Sequence, residues 1–308
     1  MNAAIISSKK DKASINIKEN LITNFSFNGS EEKFDNNYIY ECTLKNGKNI
    51  ANNQNIKLYT INSELIFTDD LDKKIDADIF VFISKHRAQE DRASLTCHAI
   101  GNFGKAEHGG KERALCYSNP ALLKKIFIEL NNNAKEPYEA TLEATHHGPY
   151  MEKPVCFVEL GSNEKYWEDK NGGFIVAKSL MGALGRFNGS AAIKNYNEKD
   201  TMNKNNNYNY KTKKNNRNYE STFVIGGSHY NHVANKAMLN SNLAVGHICA
   251  KHNLWNLDID LIKQAMEKIT PKPKFVLLEW KGLGKEKKRI LDLLERSGIE
   301  WRRNDKEF

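Results

Sequence analysis

Short apolar runs alternate with amphipathic stretches along this chain. Several of the runs lack alternating polar positions, which is typical of strands that are covered on both faces. We predict eight strands, at residues 3–8, 64–68, 79–84, 138–147, 154–160, 221–226, 243–249 and 274–280.

Three amphipathic helices lie between some of these strands. The first, at 119–130, has Asn119 as a candidate N-cap and Pro120 at the first helical position. Residues 258–269 and 284–298 show the same helical spacing of apolar side chains. Alternating strands and helices predict a three-layer α/β/α fold with a mostly parallel mixed sheet, in which ligands gather at the carboxyl ends of the strands.

The composition is that of a globular protein, with 308 residues of which 40% are hydrophobic. We expect a single α/β domain over 1–308. No run approaches the ~20 apolar residues of a membrane span, and the N-terminus lacks the apolar core of a signal peptide. We therefore predict a cytoplasmic protein without membrane contact, and a monomer without an obligate protein partner.

The net charge of +8 is concentrated in two places. Residues 194–220 carry seven basic and three acidic side chains, and we interpret about 195–220 as a low-complexity, Asn/Lys-rich insertion that forms a surface loop. Its bias fits A+T-rich codons as well as RNA binding. Seven further basic residues border the last predicted strand and helix and are candidates for phosphate contacts or for a solvated face: Lys272, Lys274, Lys281, Lys285, Lys287, Lys288 and Arg289.

His146 and His147 end a predicted strand and are followed by Gly148 and Pro149. Neighbouring side chains of a strand point to opposite faces, so the two imidazoles can share a cleft only if the backbone turns. We assign that turn to the Gly-Pro pair.

Other histidines also follow predicted strands, notably His86, His98 and His229. Imidazoles combined with a carboxylate, here Glu159 or Glu90, are typical ligands of catalytic zinc. The chain has no HExxH or CxxC motif, so spacing alone leaves a metal site open. Four histidines remain unassigned: His108, His232, His247 and His252.

Five ordered motifs give a more specific indication. They are "SKHRAQEDRASLTCHAIGNFG", "EATHHGPY", "FVELGSNEKYWED", "VIGGSHY" and "VGHICAKH". In this order and separation they resemble the archaeal and plant type of D-aminoacyl-tRNA deacylase, a zinc-dependent family also known for D-tyrosyl-tRNA. The resemblance covers about 80–280. Ser228 stands where we expect a third glycine, so the role of His229 is expected to be retained and that of His232 is not.

The resemblance implies hydrolysis of the ester between a D-amino acid and tRNA, on a fold related to phosphorylases and peptidyl-tRNA hydrolases. It implies zinc as cofactor and aminoacylated tRNA as partner. We place the seven basic residues above on the tRNA backbone because they border the last predicted strand and a helix N-terminus, which favours phosphate. The histidines share a position after predicted strands, and on that basis we predict as catalytic residues His147, His146, Glu159 and His86. On the same basis we predict as metal ligands His98, His146, His229 and Glu159.

Several alternatives stay open from the residues alone. The reaction can proceed without metal, with His147 as general base or with the adjacent ribose hydroxyl of the tRNA assisting. A metal-dependent peptidase or a nucleoside phosphorylase-like enzyme also fits the cleft, but it has no need of the basic face. A noncatalytic RNA-binding protein needs the basic face but not the histidines.

Overall fold

The computed structural model describes residues 2–44, 54–188 and 219–307. In these ranges twelve strands form an eight-stranded and a four-stranded sheet. The strands are β1 (Asn2–Ser8), β2 (Asn28–Phe34), β3 (Asn37–Leu44), β4 (Gln54–Ile61), β5 (Ile79–Arg87), β6 (Ser94–Ala99), β7 (Glu139–Leu142), β8 (Val155–Ser162), β9 (Glu220–Ile225), β10 (Leu243–Cys249), β11 (Phe275–Leu278) and β12 (Glu300–Arg303).

The larger sheet has the strand order β2-β3-β4-β1-β5-β8-β6-β7. Its centre is parallel from β4 through β1 and β5 to β8, whereas β6 runs antiparallel to β8. The smaller sheet, in the order β10-β9-β11-β12, is parallel throughout. The predicted α/β class with a mostly parallel mixed sheet is confirmed, and the division into two sheets was not predicted.

Helices pack against both sheets and join them through one core. They are α1 (Lys12–Asn24), α2 (Pro120–Asn133), α3 (Glu164–Trp167), α4 (Lys170–Asn188), α5 (His232–Asn240), α6 (Ile259–Glu267), α7 (Lys287–Ser297) and α8 (Asn304–Glu307). Helix α2 contacts β6 and β7 of the larger sheet and β10 of the smaller one. The main apolar core therefore contains Val81 and Val158 from the larger sheet together with Val224 and Phe275 from the smaller one.

Residues 143–147, which we call the junction segment, connect the two sheets through their backbone. On one side the amide of Glu143 donates to the carbonyl of Cys97 at 3.3 Å. On the other side, the amide of Ala144 donates to the carbonyl of His229 at 2.8 Å, and that of Thr145 to Ile248 at 2.9 Å. The carboxyl ends of strands from both sheets therefore face each other across this segment.

Two predicted elements are wrong in detail. Residues 64–68 form no strand but a short 3₁₀ turn at Leu65–Phe67, because only Leu65 finds a buried position while Phe67 is 59% exposed. The strand predicted at 138–147 ends at Leu142, where the chain leaves the sheet to form the junction segment. The predicted helix at 119–130 is α2, with Asn119 as its N-cap.

Most of the insertion predicted at 195–220 lies outside the described residues, which resume at 219. Among the helices that are described, none is both long and apolar enough to cross a membrane. All five cysteines are buried.

Replacing Phe127 by Ala should lower the free energy of unfolding by about 3–5 kcal/mol, because it opens a cavity in a core shared by both sheets. Phe67→Ala makes the same chemical change at an exposed position and should stay within about 0.5 kcal/mol of the unmodified protein. Urea unfolding followed by circular dichroism measures both. Equal effects of the two substitutions would contradict the assignment of Phe127 to the core.

Candidate active site

The junction segment brings His146 and His147 to the same side although they are neighbours in sequence. His147 has a φ of 48°, in the left-handed region that few residues other than glycine adopt. The turn therefore lies at His147 itself and not, as predicted, at Gly148 and Pro149. Gly148 is needed for a different reason, namely close packing. A Cβ atom at this position would lie 2.2 Å from the amide nitrogen of Gly110 and would clash with it. The two imidazole centroids are 4.3 Å apart.

Three imidazoles converge, and each uses the same ring nitrogen, Nδ1, for a hydrogen bond to the backbone. Nδ1 of His98 donates to the carbonyl of Ala99 at 3.1 Å, Nδ1 of His146 to Ala144 at 2.8 Å, and Nδ1 of His147 to Gly148 at 2.6 Å. A carbonyl can only accept, so each Nδ1 carries the proton and each Nε2 is the atom left for another ligand. One ring nitrogen from each of the three residues lies within 4.8 Å of the other two.

Two further groups of potential ligands adjoin the first. Glu143 groups with His146 and His229, and it also groups with His86 and Glu159, again with ligand atoms within 4.8 Å. Nε2 of His229 donates to Oε2 of Glu143 at 2.9 Å. Because the groups share His146 and Glu143, we call the set the histidine–carboxylate cluster. Its members are His86, His98, Glu143, His146, His147, Glu159 and His229.

The two carboxylates of the cluster are buried beside His86. Nδ1 of His86 lies 3.0 Å from Oε1 of Glu143 and 3.5 Å from Oε2 of Glu159. Oε1 of Glu143 has no well-aligned hydrogen bond within the described residues, and its contact with His86 is an ion pair when the imidazole carries its proton. Glu159 also accepts a hydrogen bond from the Ser84 hydroxyl at 2.5 Å. Nε2 of His86 is 2.7 Å from the hydroxyl of Tyr230.

These contacts divide the cluster into a charged part and a neutral part. Burial alone lowers the pKa of His86, but Glu143 and Glu159 together raise it to about 11. Despite their burial, Glu143 and Glu159 have pKa values held well below the usual carboxyl range by the neighbouring histidines. Burial and the neighbouring imidazole of His98 lower the pKa of His147 to about 4.

His98 lies between the two parts. Its Nε2 is buried and makes no hydrogen bond within the described ranges, because the nearest carboxylate oxygen, Oε2 of Glu159, is 3.8 Å away. Burial lowers the pKa of His98, and the charge of Glu159 overcomes this and raises it. A metal ion at Nε2 would displace the proton held there and would satisfy this nitrogen, so the donor set fits a bound cation.

The remaining histidines lie elsewhere or at the rim. His108 and His232 are exposed and belong to none of the three groups. His247 is buried and donates from Nε2 to the carbonyl of Cys116 at 3.0 Å, which is a structural contact. The ring of His252 lies 6.1 Å from that of His229, at the edge of the site. Glu90, the alternative carboxylate, is exposed and also belongs to none of the groups.

The predicted basic face is divided by β11. Lys272 and Lys274 precede this strand, whereas the other basic residues follow it, at the end of the sheet that also carries His229. The turn after β11 packs closely on the His229 loop, since a Cβ atom on Gly282 would lie 2.6 Å from the amide nitrogen of Gly227.

Arg289 differs from the lysines of this face. Its Nη1 donates to the carbonyl of Leu257 at 2.7 Å, its other terminal nitrogen donates to the carbonyl of Leu254, and its Nε donates to Glu286. These contacts fix Arg289 within the fold, since its guanidinium is engaged by two carbonyls and a carboxylate.

Sequence reasoning missed Glu143 and Tyr230. Glu143 falls within the strand predicted at 138–147, and its carboxylate is buried because that strand ends at Leu142. Its position three residues before His146 was a usable signal. Tyr230 follows His229 directly, but its contact with His86 joins residues 144 positions apart and leaves no local pattern.

Comparisons with known proteins agree with these features. Residues 73–302 match a family described as D-aminoacyl-tRNA deacylase. A D-aminoacyl-tRNA deacylase of Pyrococcus furiosus is 31% identical over 96% of this chain and 98% of its own length. One of Cenarchaeum symbiosum is 32% identical over 85% of this chain and 92% of its own. A crystal structure of AF0625, a conserved protein of unknown function, covers 99% of this chain and 96% of its own, with a TM-score of 0.78 and 24% identity, and it shows the same fold.

Replacing His98 by Ala should lower the affinity for a divalent transition-metal ion at least about 100-fold. The loss of a ligand should cost no less than the 10- to 100-fold typical of an outer-shell partner. Competition with a chromophoric chelator measures this affinity. His108→Ala removes an exposed imidazole and serves as the matched control, with unchanged affinity expected. Retained affinity in His98→Ala would place the ion elsewhere.

Proposed function

This chain belongs to the D-aminoacyl-tRNA deacylase family, and we propose that the histidine–carboxylate cluster is the centre at which it hydrolyses its substrate. The bond broken is the ester between a D-amino acid and the 3′ end of tRNA, and the products are free D-amino acid and tRNA. The observation that carries the proposal is the convergence of His98, His146 and His147, with every Nδ1 proton donated to a carbonyl.

The ion proposed for this site is zinc. Zinc favours imidazole nitrogens and commonly takes three protein ligands in catalytic sites. The neutral forms of His146 and His147 at neutral pH, which follow from their lowered pKa values, suit this role. When bound, zinc would polarise the ester carbonyl and lower the pKa of the attacking water. Glu159, which the resemblance offers as a ligand, adjoins this triad through His98.

His229 is the proposed general base. Its Nε2 proton is donated to Glu143, so Nδ1 has a free lone pair that can take a proton from water. Glu143 is buried and fixes the tautomer, in the way that a carboxylate orients a catalytic histidine. His229 is also the most open of the imidazoles in its group, with 36% of its side chain exposed compared with 30% for His146. It can therefore reach a substrate that enters from the surface.

His86 and Tyr230 would act on the developing negative charge. Since His86 keeps its proton at neutral pH, its Nε2 donates to the Tyr230 hydroxyl oxygen, and this leaves the hydroxyl proton free. That proton can be donated to the carbonyl oxygen of the ester as charge builds up on it. His86 is thus a positioning residue, and the charge that it holds supports the donor.

A cytoplasmic monomer without an obligate protein partner, folded as one α/β domain, remains our proposal for the state in which the chain works. The two sheets contribute residues to one apolar core, and this favours a single domain. Of the seven basic residues, the four proposed to hold tRNA phosphates are Lys281, Lys285, Lys287 and Lys288, because they share the site's end of the smaller sheet.

Incubation with matched D- and L-aminoacyl-tRNA should show preferential hydrolysis of the D form. A strong chelator should abolish the activity and added zinc should restore it, because the proposed centre needs the cation to polarise the ester. Release of labelled amino acid measures the rate. Full activity after complete metal removal, verified by elemental analysis, would favour the alternative in which imidazoles or the ribose hydroxyl act alone.

The substitution His229→Ala should lower kcat about 100- to 10,000-fold, the range for loss of a general base, while the zinc content stays unchanged. Glu143→Gln should give a smaller loss, because the amide can still contact Nε2 but does not favour the same tautomer. Activity assays combined with elemental analysis separate the two roles of His229. Loss of zinc in step with activity would make His229 a ligand.

Replacing Lys281, Lys285 and Lys288 together by Ala should raise KM for D-aminoacyl-tRNA and leave kcat nearly unchanged. Each lost phosphate contact should reduce the slope of log affinity against log salt by roughly 0.7–0.9. The control is Lys272→Ala with Lys274→Ala, at the opposite end of β11, for which no change in slope is expected. A reduced slope in the control but not in the triple variant would move the tRNA to the other end of the sheet.

A further inference from the structure

Trp255 is unusually open for a large apolar side chain. It is 72% exposed, more than any other large hydrophobic residue in the described ranges. An indole in water loses the free energy that burial would supply, so its exposure calls for an explanation beyond the stability of the fold.

The backbone around Trp255 is held firmly. Residues Lys251–Asn256 form a 3₁₀ helix after β10, and Leu254 anchors it in the apolar core. Arg289 donates to the carbonyls of Leu254 and Leu257, and Nη1 of Arg113 donates to that of Asn256 at 3.0 Å. Two guanidinium groups therefore satisfy three carbonyls of one short segment. This rigid support is typical of a preorganised binding residue and not of a loose loop.

The indole is hydrogen-bonded to the backbone of a residue at the edge of the site. Nε1 of Trp255 donates to the carbonyl of His252 at 2.9 Å, and the His252 ring lies 6.1 Å from that of His229. The amide of Lys251 donates to the carbonyl of Gly227 at 2.8 Å, which ties the helix to the loop that carries His229. His252 therefore links Trp255 to His229, the proposed general base.

We propose that Trp255 is the stacking platform for the terminal base at the 3′ end of the aminoacyl-tRNA. The inference rests on the proposed function, in which the cluster cleaves the ester on the terminal ribose. The base attached to that ribose must then lie about one sugar away from the ester. Unpaired bases of RNA are commonly bound by stacking on aromatic side chains. Lys251, the exposed first residue of the same helix, would meet the adjoining phosphate.

Steady-state kinetics with D-aminoacyl-tRNA test this role. Trp255→Ala should raise KM about 5- to 150-fold, the range for loss of one stacked base, with kcat within about twofold. Trp255→Phe should restore most of the affinity, and Trp255→Leu should not, because stacking requires an aromatic ring. Tyr38→Ala removes an exposed aromatic from β3, which β4 and β1 separate from β5 in the larger sheet, and should change nothing.

A substrate comparison separates the base from the amino acid. Stacking on the base predicts the same loss in Trp255→Ala for D-Ala and D-Tyr esters of one tRNA. A loss that depends on the amino-acid side chain would overturn the proposal and make Trp255 part of the amino-acid pocket. Unchanged KM in Trp255→Ala would also overturn it, while hydrolysis by the wild-type protein would still support the proposed function.

A direct binding measurement does not depend on hydrolysis. The uncharged trinucleotide CCA should quench the tryptophan fluorescence of the full-length protein, and Trp255→Phe should bind it with little quenching. Absence of quenching in the wild-type protein would overturn the platform. Quenching by CCA in a protein that fails to hydrolyse D-aminoacyl-tRNA would retain the platform and reject only the proposed reaction.

Discussion

Two carboxylates buried next to each other impose the main constraint on this molecule. Glu143 and Glu159 are 1% and 4% exposed, and they contact the same imidazole, that of His86. Buried negative charges of this kind are costly unless positive charge and hydrogen-bond donors compensate them. Ser84 and His86 from β5 and His229 from the loop after β9 supply these. The site and the fold are therefore coupled, because both carboxylates are compensated by residues from other elements of the structure.

The same constraint explains why the site lies where the two sheets meet. The larger sheet contributes His86, His98 and Glu159, and the loop after β9 of the smaller sheet contributes His229. The junction segment lies between them, and its backbone hydrogen bonds with both sides hold Glu143, His146 and His147 in register. The smaller sheet also carries the groups suited to a large anionic substrate, namely the lysines after β11 and the helix of Trp255. In our proposal, chemistry and substrate binding are therefore assigned largely to different sheets and meet at the junction segment.

The cluster contains both a charged imidazole and a neutral one. His86 stays charged because two carboxylates face it, whereas His147 stays neutral because burial and another imidazole oppose a further positive charge. The proposed cation site and the charged donor can coexist only with such a separation. Backbone carbonyls contribute to this separation, because they accept hydrogen bonds from Nδ1 of the three converging imidazoles.

The sequence alone determined the α/β class, the cap of α2 by Asn119, and the histidines at strand ends, because periodicity, capping and motif order are local signals. Ordered motifs also sufficed to indicate the family. Only the tertiary structure decided that Glu143 faces inward, that Tyr230 meets His86, and that the lysines divide around β11. It also showed that the turn bringing His146 and His147 together is made by His147 itself. These features depend on contacts between residues far apart in the chain and on a second sheet, and neither leaves a periodic trace in the sequence. The exposure of Trp255 belongs with them, since an apolar residue in a sequence predicts burial, and only its surroundings show that it is left open.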